Sequence, residues 1–246
     1  MLAAGAGTRL APLTSERPKA LCPVDGVALV DVSLSAVGSV VGAGPAAVAV
    51  NANHRADEVV AHVGARAHVS VERGEALGTA GGVANLRPWL DGRSALVVNA
   101  DVWHDADLAP LVAGWDGERV AVLVAGPGGG SLGRRAPVLG CLLPPWAIAP
   151  LPVAPAGLYE ACWRAVDALG LLDVVGAPAR HVDCGTPAAY LAANMAASGG
   201  RTVAGAGAVV DGEVERCVLW PGAVVAAGEL LVDGIRTTGG RTVLIR

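Results

Sequence analysis

The chain has 246 residues and a formal net charge of −4; 53% of its residues are hydrophobic and 16% are charged. This length is enough to bury a sizeable core, in one large α/β domain or in one domain with a small appendage. The acidic balance, without any cluster of arginine and aromatic residues, excludes a typical nucleic-acid surface and favours a small-molecule ligand.

The five cysteines are scattered and contain no Cys-x-x-Cys pair, which argues against a zinc or redox motif and predicts a reduced, cytoplasmic protein. Two charge-free stretches, Val32–His54 and Ala136–Tyr159, are interrupted by glycine and proline, so neither predicts a membrane-spanning helix. No basic segment precedes an apolar core at the N-terminus, so no signal peptide is expected. We therefore expect no membrane partner.

Short valine-rich runs alternate with helical patterns along most of the chain. Strands are predicted at Met1–Ala3, Ala46–Asn51, His68–Val71, Ala95–Asn99 and Val120–Ala125. Helices are predicted at Leu29–Val41, Arg55–Val63, Leu158–Leu169 and Pro187–Ala197. This alternation predicts an α/β fold with a mostly parallel sheet and helices on both faces.

The pattern changes after the last predicted helix, which Thr186 caps and Gly199 and Gly200 end. Small apolar residues then recur six apart, at Val203 and Val209 and again at Val218, Val224 and Leu230. This spacing is typical of the corners of a β-helix, and a short β-hairpin is the alternative. We predict a domain over 1–200 and a short left-handed β-helix-like appendage over 201–246.

Lys19 is the only lysine, since the other 17 basic residues are arginines. It follows a loop, Ala4–Arg9, whose small residues let backbone N–H groups approach an anion. Arg9 and Lys19 supply positive charge for phosphate oxygens. The glycine spacing matches neither the dinucleotide fingerprint nor the Walker loop, and by itself it is equally typical of a structural turn.

Four segments carry a more specific pattern: Leu2–Leu21, Leu77–Gly82, Val98–Asp101 and Val182–Thr186. Together they resemble the sugar-1-phosphate nucleotidyltransferase family over nearly the whole chain. The resemblance implies a Rossmann-like sheet and a reaction that joins a sugar 1-phosphate to a nucleoside triphosphate and releases pyrophosphate. Catalysis of this kind depends mainly on positioning and charge neutralisation.

The same resemblance implies roles for individual residues. The nucleotide-binding residues would be Leu2, Ala3, Ala4, Gly5, Gly7, Thr8, Gly78 and Asn99. Arg9 would bind the departing phosphates, and Lys19 would neutralise the α-phosphate.

Two aspartates follow from the same reasoning. Asp101 comes directly after a predicted strand, and Asp183 stands just before a helix start. Since Mg²⁺ prefers one or two carboxylates plus phosphate oxygens, Asp101 and Asp183 are predicted as its ligands. The nearby residues Asp105, Asp107, His104 and His181 are interpreted as loop residues without a metal role.

Two departures from the family are visible. Relatives usually carry about five apolar residues before the first loop, whereas only Met1 precedes Leu2 here. A first strand this short predicts unpaired neighbouring backbone groups and a terminal amine near the nucleotide. The lysine that holds the sugar phosphate in many relatives is also absent, and Arg134 and Arg135 are the available substitutes.

Several alternatives stay open. The Leu77–Gly82 loop and the hexad tail favour a mannose-1-phosphate guanylyltransferase with GTP, and the Asn99–Trp103 run instead favours an N-acetylmuramate-1-phosphate uridylyltransferase. A glucose-1-phosphate nucleotidyltransferase is a third candidate. A non-catalytic homologue that binds a nucleotide sugar and regulates a partner is the alternative of another class. The appendage is a candidate surface for homo-oligomer formation.

Overall fold

The computed structural model describes residues 1–245, which divide into two compact units. The first unit contains Met1–Gly5, Val32–Ala100 and His104–His181. The second contains Ala6–Asp31, Asp101–Trp103 and residues 182–245. This division interleaves the sequence, so it does not test the predicted boundary at residue 200, which stays a prediction.

The helices and strands are as follows. The α-helices are α1 Leu29–Val41, α2 Ala56–Val63, α3 Gly78–Asn85, α4 Arg87–Leu90, α5 Ala109–Ala113, α6 Pro145–Ile148, α7 Arg164–Ala168 and α8 Pro187–Ser198. Single turns of 3₁₀-helix lie at Thr8–Leu10, Leu13–Ser15, Lys19–Leu21 and Gly64–Arg66, and Tyr159–Trp163 is π-helical. The first ten strands are β1 Pro23–Val24, β2 Val27–Ala28, β3 Ala49–Ala52, β4 His68–Val71, β5 Ala95–Val97, β6 Val102–His104, β7 Val120–Ala125, β8 Val138–Leu143, β9 Leu172–Ala177 and β10 His181–Asp183. The remaining strands are β11 Val203–Ala204, β12 Val209–Val210, β13 Glu213–Glu215, β14 Val218–Leu219, β15 Val224–Val225, β16 Leu230–Val232, β17 Gly234–Arg236 and β18 Thr242–Leu244.

Two sheets in the first unit flank the N-terminal residues. Strands β3 and β4 pair in parallel, and a second sheet has the order β5-β8-β7-β9. Leu2 lies between them, with parallel bridges to Asn51 and Asn99. Apolar side chains from β3, β5, β7, β8 and β9 and from α3, α4, α6 and α7 form the core of the unit.

The α/β class is confirmed, and the sheets are mixed: the bridges of Leu2 and the pairs β3–β4 and β7–β9 are parallel, and the antiparallel pairs of the first unit's main sheet involve β8. Strand β8 is antiparallel to both of its neighbours, β5 and β7, whereas β7 and β9 are parallel. The residues between β7 and β8 contain no helix. Without a crossover helix the chain returns in the opposite direction and pairs as an antiparallel neighbour, so the sheet is mixed.

Most of the predicted elements occur at or near their predicted positions. Helix α1 and strands β4 and β7 coincide with the predicted ranges. Thr186 caps α8 by accepting a hydrogen bond from the Ala189 N–H at 3.2 Å, and Gly199 ends the helix with a positive φ of 69°. The segment predicted as one helix over Leu158–Leu169 is helical, but its first half is π-helical.

The N-terminal amine is buried inside the first unit. It donates to the Ala49 carbonyl at 2.8 Å, while the Met1 carbonyl accepts from the Asn51 N–H at 3.1 Å. Burial lowers the pKa of this amine from 8.0 to about 5. A cavity of about 350 Å³ adjoins Met1 and is lined by the first residues of β3 and β5, by Val37 and Val41 of α1, and by side chains of α3 and α4.

The short first strand therefore pairs better than its length predicts. The Leu2 N–H donates to the Val98 carbonyl, and the Leu2 carbonyl accepts from the Ala100 N–H, both at 2.9 Å. These bonds hold Leu2 against β5 while Met1 is held against β3.

Strands β11 to β17 in the second unit follow a repeating pattern. Each strand from β11 to β14 pairs in parallel with the third strand after it, as in β11 with β14 and β12 with β15. All five residues of the hexad pattern lie in these strands, and β18 ends the unit antiparallel to β17.

The hexad prediction identified the strands, but only two of its five residues are buried: Val203 and Val218. Val209, Val224 and Leu230 are exposed. The buried cluster instead contains Leu219, Val225 and Leu231, which are also spaced six apart, together with Cys217 and Ala223. Two adjacent hexad series are therefore present, and only the tertiary structure shows which residues of each series face inward.

Two findings concern the predicted cellular environment. All five cysteines are buried, and none of them, all within the described residues, forms a disulfide. No helix within residues 1–245 is both long enough and apolar enough to cross a membrane.

Candidate active site

Lys19 lies at the centre of a charged cluster in the second unit. Its ammonium Nζ donates to Asp101 Oδ2 at 2.8 Å and to Asp183 Oδ1 at 3.3 Å. Arg9 approaches the other oxygen of Asp183 at 3.7 Å. The Lys19 side chain is 6% exposed, whereas the two aspartates and Arg9 are open to solvent. The four residues predicted to carry charge chemistry therefore meet in one place.

The backbone before Lys19 is shaped by Gly7. This residue has a φ of 61°, and an added Cβ would lie 2.9 Å from Thr14 Cγ2 and 3.0 Å from Lys19 Cβ. The Thr14 hydroxyl donates to the Gly7 carbonyl at 3.1 Å. Glycine is favoured here because a side chain is strained in the left-handed backbone and the close contact leaves no room for a Cβ. Thr14 was not predicted as a site residue.

The residues next to Lys19 are anchored to the C-terminal strands of the same unit. The Glu16 carboxylate accepts from the Thr237 hydroxyl and from the Gly239 N–H, the latter at 3.0 Å. The Arg17 guanidinium lies over the Trp220 ring, 4.1 Å from its centroid. The C-terminal strands therefore help to fix the backbone that presents Lys19.

Strands β6 and β10 bring the two aspartates together. These strands pair with each other, and the Cys184 N–H donates to the Asp101 carbonyl at 3.1 Å. Burial raises the pKa of the Cys184 thiol to about 12, so it remains a neutral packing group. Gly185 leaves space for the Arg9 side chain, because a Cβ added at residue 185 would lie 2.9 Å from Arg9 Nη2.

The small-residue loop begins in the first unit. The Ala3 N–H donates to Asn51 Oδ1 at 2.7 Å, and Leu2 bridges to Asn99. Asn51 and Asn99 both stand in a Val-Asn-Ala sequence at or after a strand. Only Asn99 was predicted as a site residue, although the repeated tripeptide was a signal that pointed to Asn51 as well.

Gly78 opens helix α3 with a φ of 69°, and an added Cβ would lie 2.6 Å from the Ala156 carbonyl oxygen. The Ala80 N–H donates to the same carbonyl at 2.9 Å, and the Ala156 N–H donates to Leu77 at 3.0 Å. Backbone from two segments is thus in direct contact, which requires glycine at position 78.

The four residues interpreted as having no metal role lie in strands and loops that follow Asp101 or precede Asp183 in the sequence. Asp105 forms an ion pair with Arg180 at 2.8 Å, and Asp107 accepts from the Ala109 N–H at 2.9 Å. His104 and His181 lie in β6 and β10 rather than in loops. Burial lowers the pKa of His104, an effect that His181 reinforces and Asp105 opposes.

Few side chains within residues 1–245 are arranged so that they could bind a metal ion. Among residues 1–245, no group of three or more histidine, cysteine, aspartate or glutamate side chains is arranged to hold one. The pair Asp101 and Asp183 converges on a single ammonium, so the two carboxylates lie close enough to share a cation with phosphate and water oxygens. The donor set fits Mg²⁺ bound jointly with a phosphate ligand. Arg134, the candidate substitute for the missing lysine, pairs with Glu160 at 3.1 Å.

The sequence profile of the nucleotidyl transferase family matches residues 1–125, half of the chain. The chain belongs to this family. The resemblance to sugar-1-phosphate nucleotidyltransferases is confirmed by the relatives of this nucleotidyl transferase. The N-acetylmuramate α-1-phosphate uridylyltransferase of Caulobacter vibrioides is 39% identical over 134 residues, which are 50% of this chain and 54% of that protein.

A second relative is the mannose-1-phosphate guanylyltransferase of Mycobacterium tuberculosis, 32% identical over 117 residues, which cover 46% of this chain and 32% of that protein. The chain thus spans about half the length of the first relative and about a third of the second. Among solved structures, one titled mannose-1-phosphate geranyltransferase from Thermus thermophilus has a TM-score of 0.71 at 16% identity. That match covers 99% of this chain and 93% of the other, and it supports the fold alone.

Proposed function

We propose that this nucleotidyl transferase joins a sugar 1-phosphate to a nucleoside triphosphate, forming a nucleotide sugar and releasing pyrophosphate. The observation that carries the proposal is the buried Lys19 ammonium held between the carboxylates of Asp101 and Asp183. The ammonium is buried, but the two carboxylates that it contacts are partly exposed. A phosphate that enters from solvent can therefore replace a carboxylate as the hydrogen-bond acceptor of Lys19. Family membership points to the same chemistry.

In this reaction the sugar-phosphate oxygen attacks the α-phosphorus, and the bond to the departing pyrophosphate breaks. Lys19 neutralises the charge that builds on the α-phosphate oxygens, and Arg9 binds the leaving phosphates. Lys19 is held from both sides by hydrogen bonds, so its position is fixed before the substrate arrives. Positioning of this kind lowers the barrier without any covalent intermediate.

Asp101 and Asp183 are the residues that would hold Mg²⁺. Bound there, the ion supplies positive charge that offsets the phosphate oxygens of the nucleotide. The partial exposure of both carboxylates, 39% for Asp101 and 57% for Asp183, leaves oxygens available to a cation.

The remaining binding roles fall on backbone and small side chains. In the first unit we assign nucleotide binding to Leu2, Ala3, Ala4, Gly5, Gly78 and Asn99. In the second unit we assign it to Gly7 and Thr8. The hydrogen bond from the Ala3 N–H to Asn51 and the close contacts at Gly7 and Gly78 support this assignment.

The substrate pair is proposed in two versions. The Leu77–Gly82 loop and the C-terminal strands favour GTP with mannose 1-phosphate. UTP with N-acetylmuramate 1-phosphate is the second candidate, and the relative with 39% identity favours it.

The test measures pyrophosphate release with Mg²⁺, crossing GTP, UTP, dTTP, CTP and ATP against the 1-phosphates of mannose, glucose, N-acetylglucosamine and N-acetylmuramate. We expect turnover with one pair of substrates. Asp107→Asn is the matched control for Asp101→Asn, because Asp107 is an exposed loop carboxylate. Absence of turnover with every pair, combined with tight binding of a nucleotide sugar, would instead support a regulatory protein.

We further propose that β11 to β18 form a short left-handed β-helix-like appendage that mediates homo-oligomer formation. The repeating parallel pairing supports the β-helix. Val209, Val210 and Val224, on the paired strands β12 and β15, form an exposed apolar patch that supports self-association. Light scattering of the purified protein, with Val224→Asp as the variant, tests whether the patch holds copies together.

A further inference from the structure

Two buried polar side chains in the first unit are hydrogen-bonded to each other. Asn51 lies in β3 and Glu72 directly follows β4, the parallel neighbour of β3. Asn51 Nδ2 donates to Glu72 Oε1 at 2.6 Å, and the two residues are 1% and 4% exposed. Burial of an amide or a carboxylate costs free energy unless hydrogen bonds within the protein replace those lost to water. This buried pair therefore depends on its hydrogen bonds.

The remaining atoms of the pair reach backbone on both sides. Asn51 Oδ1 accepts from the Ala3 N–H at 2.7 Å, and Glu72 Oε2 accepts from the Leu77 N–H at 2.9 Å. Three hydrogen bonds therefore connect Ala3 to Leu77 through two side chains. We call Ala3, Asn51, Glu72 and Leu77 the buried relay.

Gly82 of helix α3 packs directly on the relay. An added Cβ would lie 2.6 Å from Asn51 Nδ2 and 3.2 Å from Glu72 Oε1. A side chain at this position would displace the Asn51 amide, so glycine is required for the relay to form. This requirement explains Gly82, the third glycine of the Leu77–Gly82 loop, to which the proposed nucleotide contacts give no role.

We propose that Asn51 and Glu72 are positioning residues that hold the backbone at Ala3 and at Leu77 in the arrangement that binds the nucleoside triphosphate, and that they thereby set its affinity. The inference rests on the proposed function, because Ala3 and Gly78 are assigned there to nucleotide binding. Neither positioning residue needs to contact the substrate, since each acts through the backbone N–H it orients.

The direction of the hydrogen bonds depends on Glu72. Both oxygens of Glu72 accept hydrogen bonds, so Asn51 turns its NH₂ group towards Glu72 and its oxygen towards Ala3. A reversed Asn51 amide would place an NH₂ group against the Ala3 N–H, where two donors meet. The two acceptor oxygens of Glu72 therefore determine how a backbone group in the first loop is held.

The substitution Glu72→Gln tests this dependence with almost no change of shape. The introduced amide has one acceptor and one donor, but the relay needs two acceptors at this position. Either the Leu77 N–H faces a donor, or Asn51 reverses and the Ala3 N–H loses its partner. We expect the KM for the nucleoside triphosphate to rise about tenfold, the equivalent of one buried hydrogen bond, with kcat changed less than about threefold.

The double variant Asn51→Asp with Glu72→Gln restores the pattern. The introduced aspartate accepts from Ala3 and from the new glutamine NH₂, and the glutamine oxygen accepts from Leu77. Asn51→Asp alone sets two carboxylates against each other and raises KM, whereas the double variant returns KM to within about threefold of the wild-type value. Asn85→Asp is the matched control, because its Nδ2 donates to the Ser70 hydroxyl outside the relay.

A second readout needs no substrate. Amide hydrogen exchange of Ala3 and Leu77, followed by NMR, should speed up at one of these residues in each single variant and slow again in the double variant. Single variants with a wild-type KM and unchanged amide exchange overturn the inference, as does a double variant that stays as impaired as the singles. A wild-type protein without turnover overturns the proposed function instead, and the amide exchange then still reports whether the relay orients both segments.

Discussion

The two units each bury an amino group, in opposite surroundings. The Met1 amine in the first unit donates to a carbonyl, and burial lowers its pKa to about 5. The Lys19 ammonium in the second unit donates to two carboxylates. Burial alone disfavours charge, and anionic partners favour it. The presence of carboxylates, rather than depth, therefore distinguishes the candidate active site from a packing position.

The largest effect is expected from the Met1 amine. Between pH 5 and pH 8 the unfolded chain carries a proton on this amine that the folded chain lacks, so stability is lowest near pH 5 and rises towards pH 8. A shift from 8.0 to about 5 corresponds to about 4 kcal/mol. Urea unfolding at several pH values measures the slope.

The same measurement on N-terminally acetylated protein is the control. Acetylation removes the titrating amine and keeps an N–H donor, and the adjacent cavity has room for the added group. We expect the acetylated chain to lose most of the slope. Parallel stability curves for the two forms would show that the amine is not buried as described.

The second-largest effect is expected at Lys19, the other buried amino group, and at its partner Asp101. Lys19→Ala and Asp101→Ala should each lower the rate of pyrophosphate release by about a hundredfold or more, because each removes charge aimed at the phosphates or at their metal ion. Circular dichroism should show an intact fold. Near-normal turnover in either variant would remove that residue from the proposed chemistry.

A smaller effect is expected at Gly7, which packs on Lys19. Gly7→Ala introduces a Cβ 2.9 Å from Thr14 and forces a side chain into a backbone with a φ of 61°. We expect a loss of about 1–2 kcal/mol of unfolding free energy. Gly5→Ala is the control for stability, since an added Cβ there meets no atom within 4 Å. Equal losses in the two variants would contradict the close packing around Lys19.

The smallest effect compares two arginines that lie over tryptophan rings. Arg17 lies 4.1 Å from the Trp220 centroid in the second unit, and Arg93 lies 4.6 Å from Trp89 in the first. Substitution of either by alanine should cost roughly 0.5–1 kcal/mol. Only Arg17→Ala should also lower kcat, by about two- to threefold, because Arg17 anchors the backbone next to Lys19. Identical kcat values in both variants would show that this anchoring does not matter for turnover.

The sequence predicted helices and strands well where neighbouring residues determine them. Helix α8 has a hydroxyl cap, a proline in its first turn and a glycine at its end, and its start coincides with the predicted one. Strand β7 is a continuous apolar run and was found where expected. Strand β8 was not predicted at all, and its antiparallel direction depends on the path of the connecting chain rather than on the strand's own residues.

In the candidate site, too, the residues of a local pattern were predicted, and those that depend on distant contacts were missed. The lone lysine, the small-residue loop and the two aspartates were found from residue types and from their resemblance to a family pattern. Asn51 and Glu72 were missed, because a buried amide and a buried carboxylate look in sequence like ordinary polar residues at strand ends. Two of the three hydrogen bonds join residues 48 and 21 positions apart along the chain, beyond the reach of a local pattern.

The sequence by itself determined the α/β class, the family and the charged residues of the candidate site, because these follow from local periodicity and from a contiguous motif. The tertiary structure decided which hexad residues pack inward, how the first strand pairs, and which carboxylates meet Lys19. Those outcomes depend on contacts between residues far apart in the chain. Burial and hydrogen bonding then set the charge and orientation of each group in ways that its identity alone does not specify.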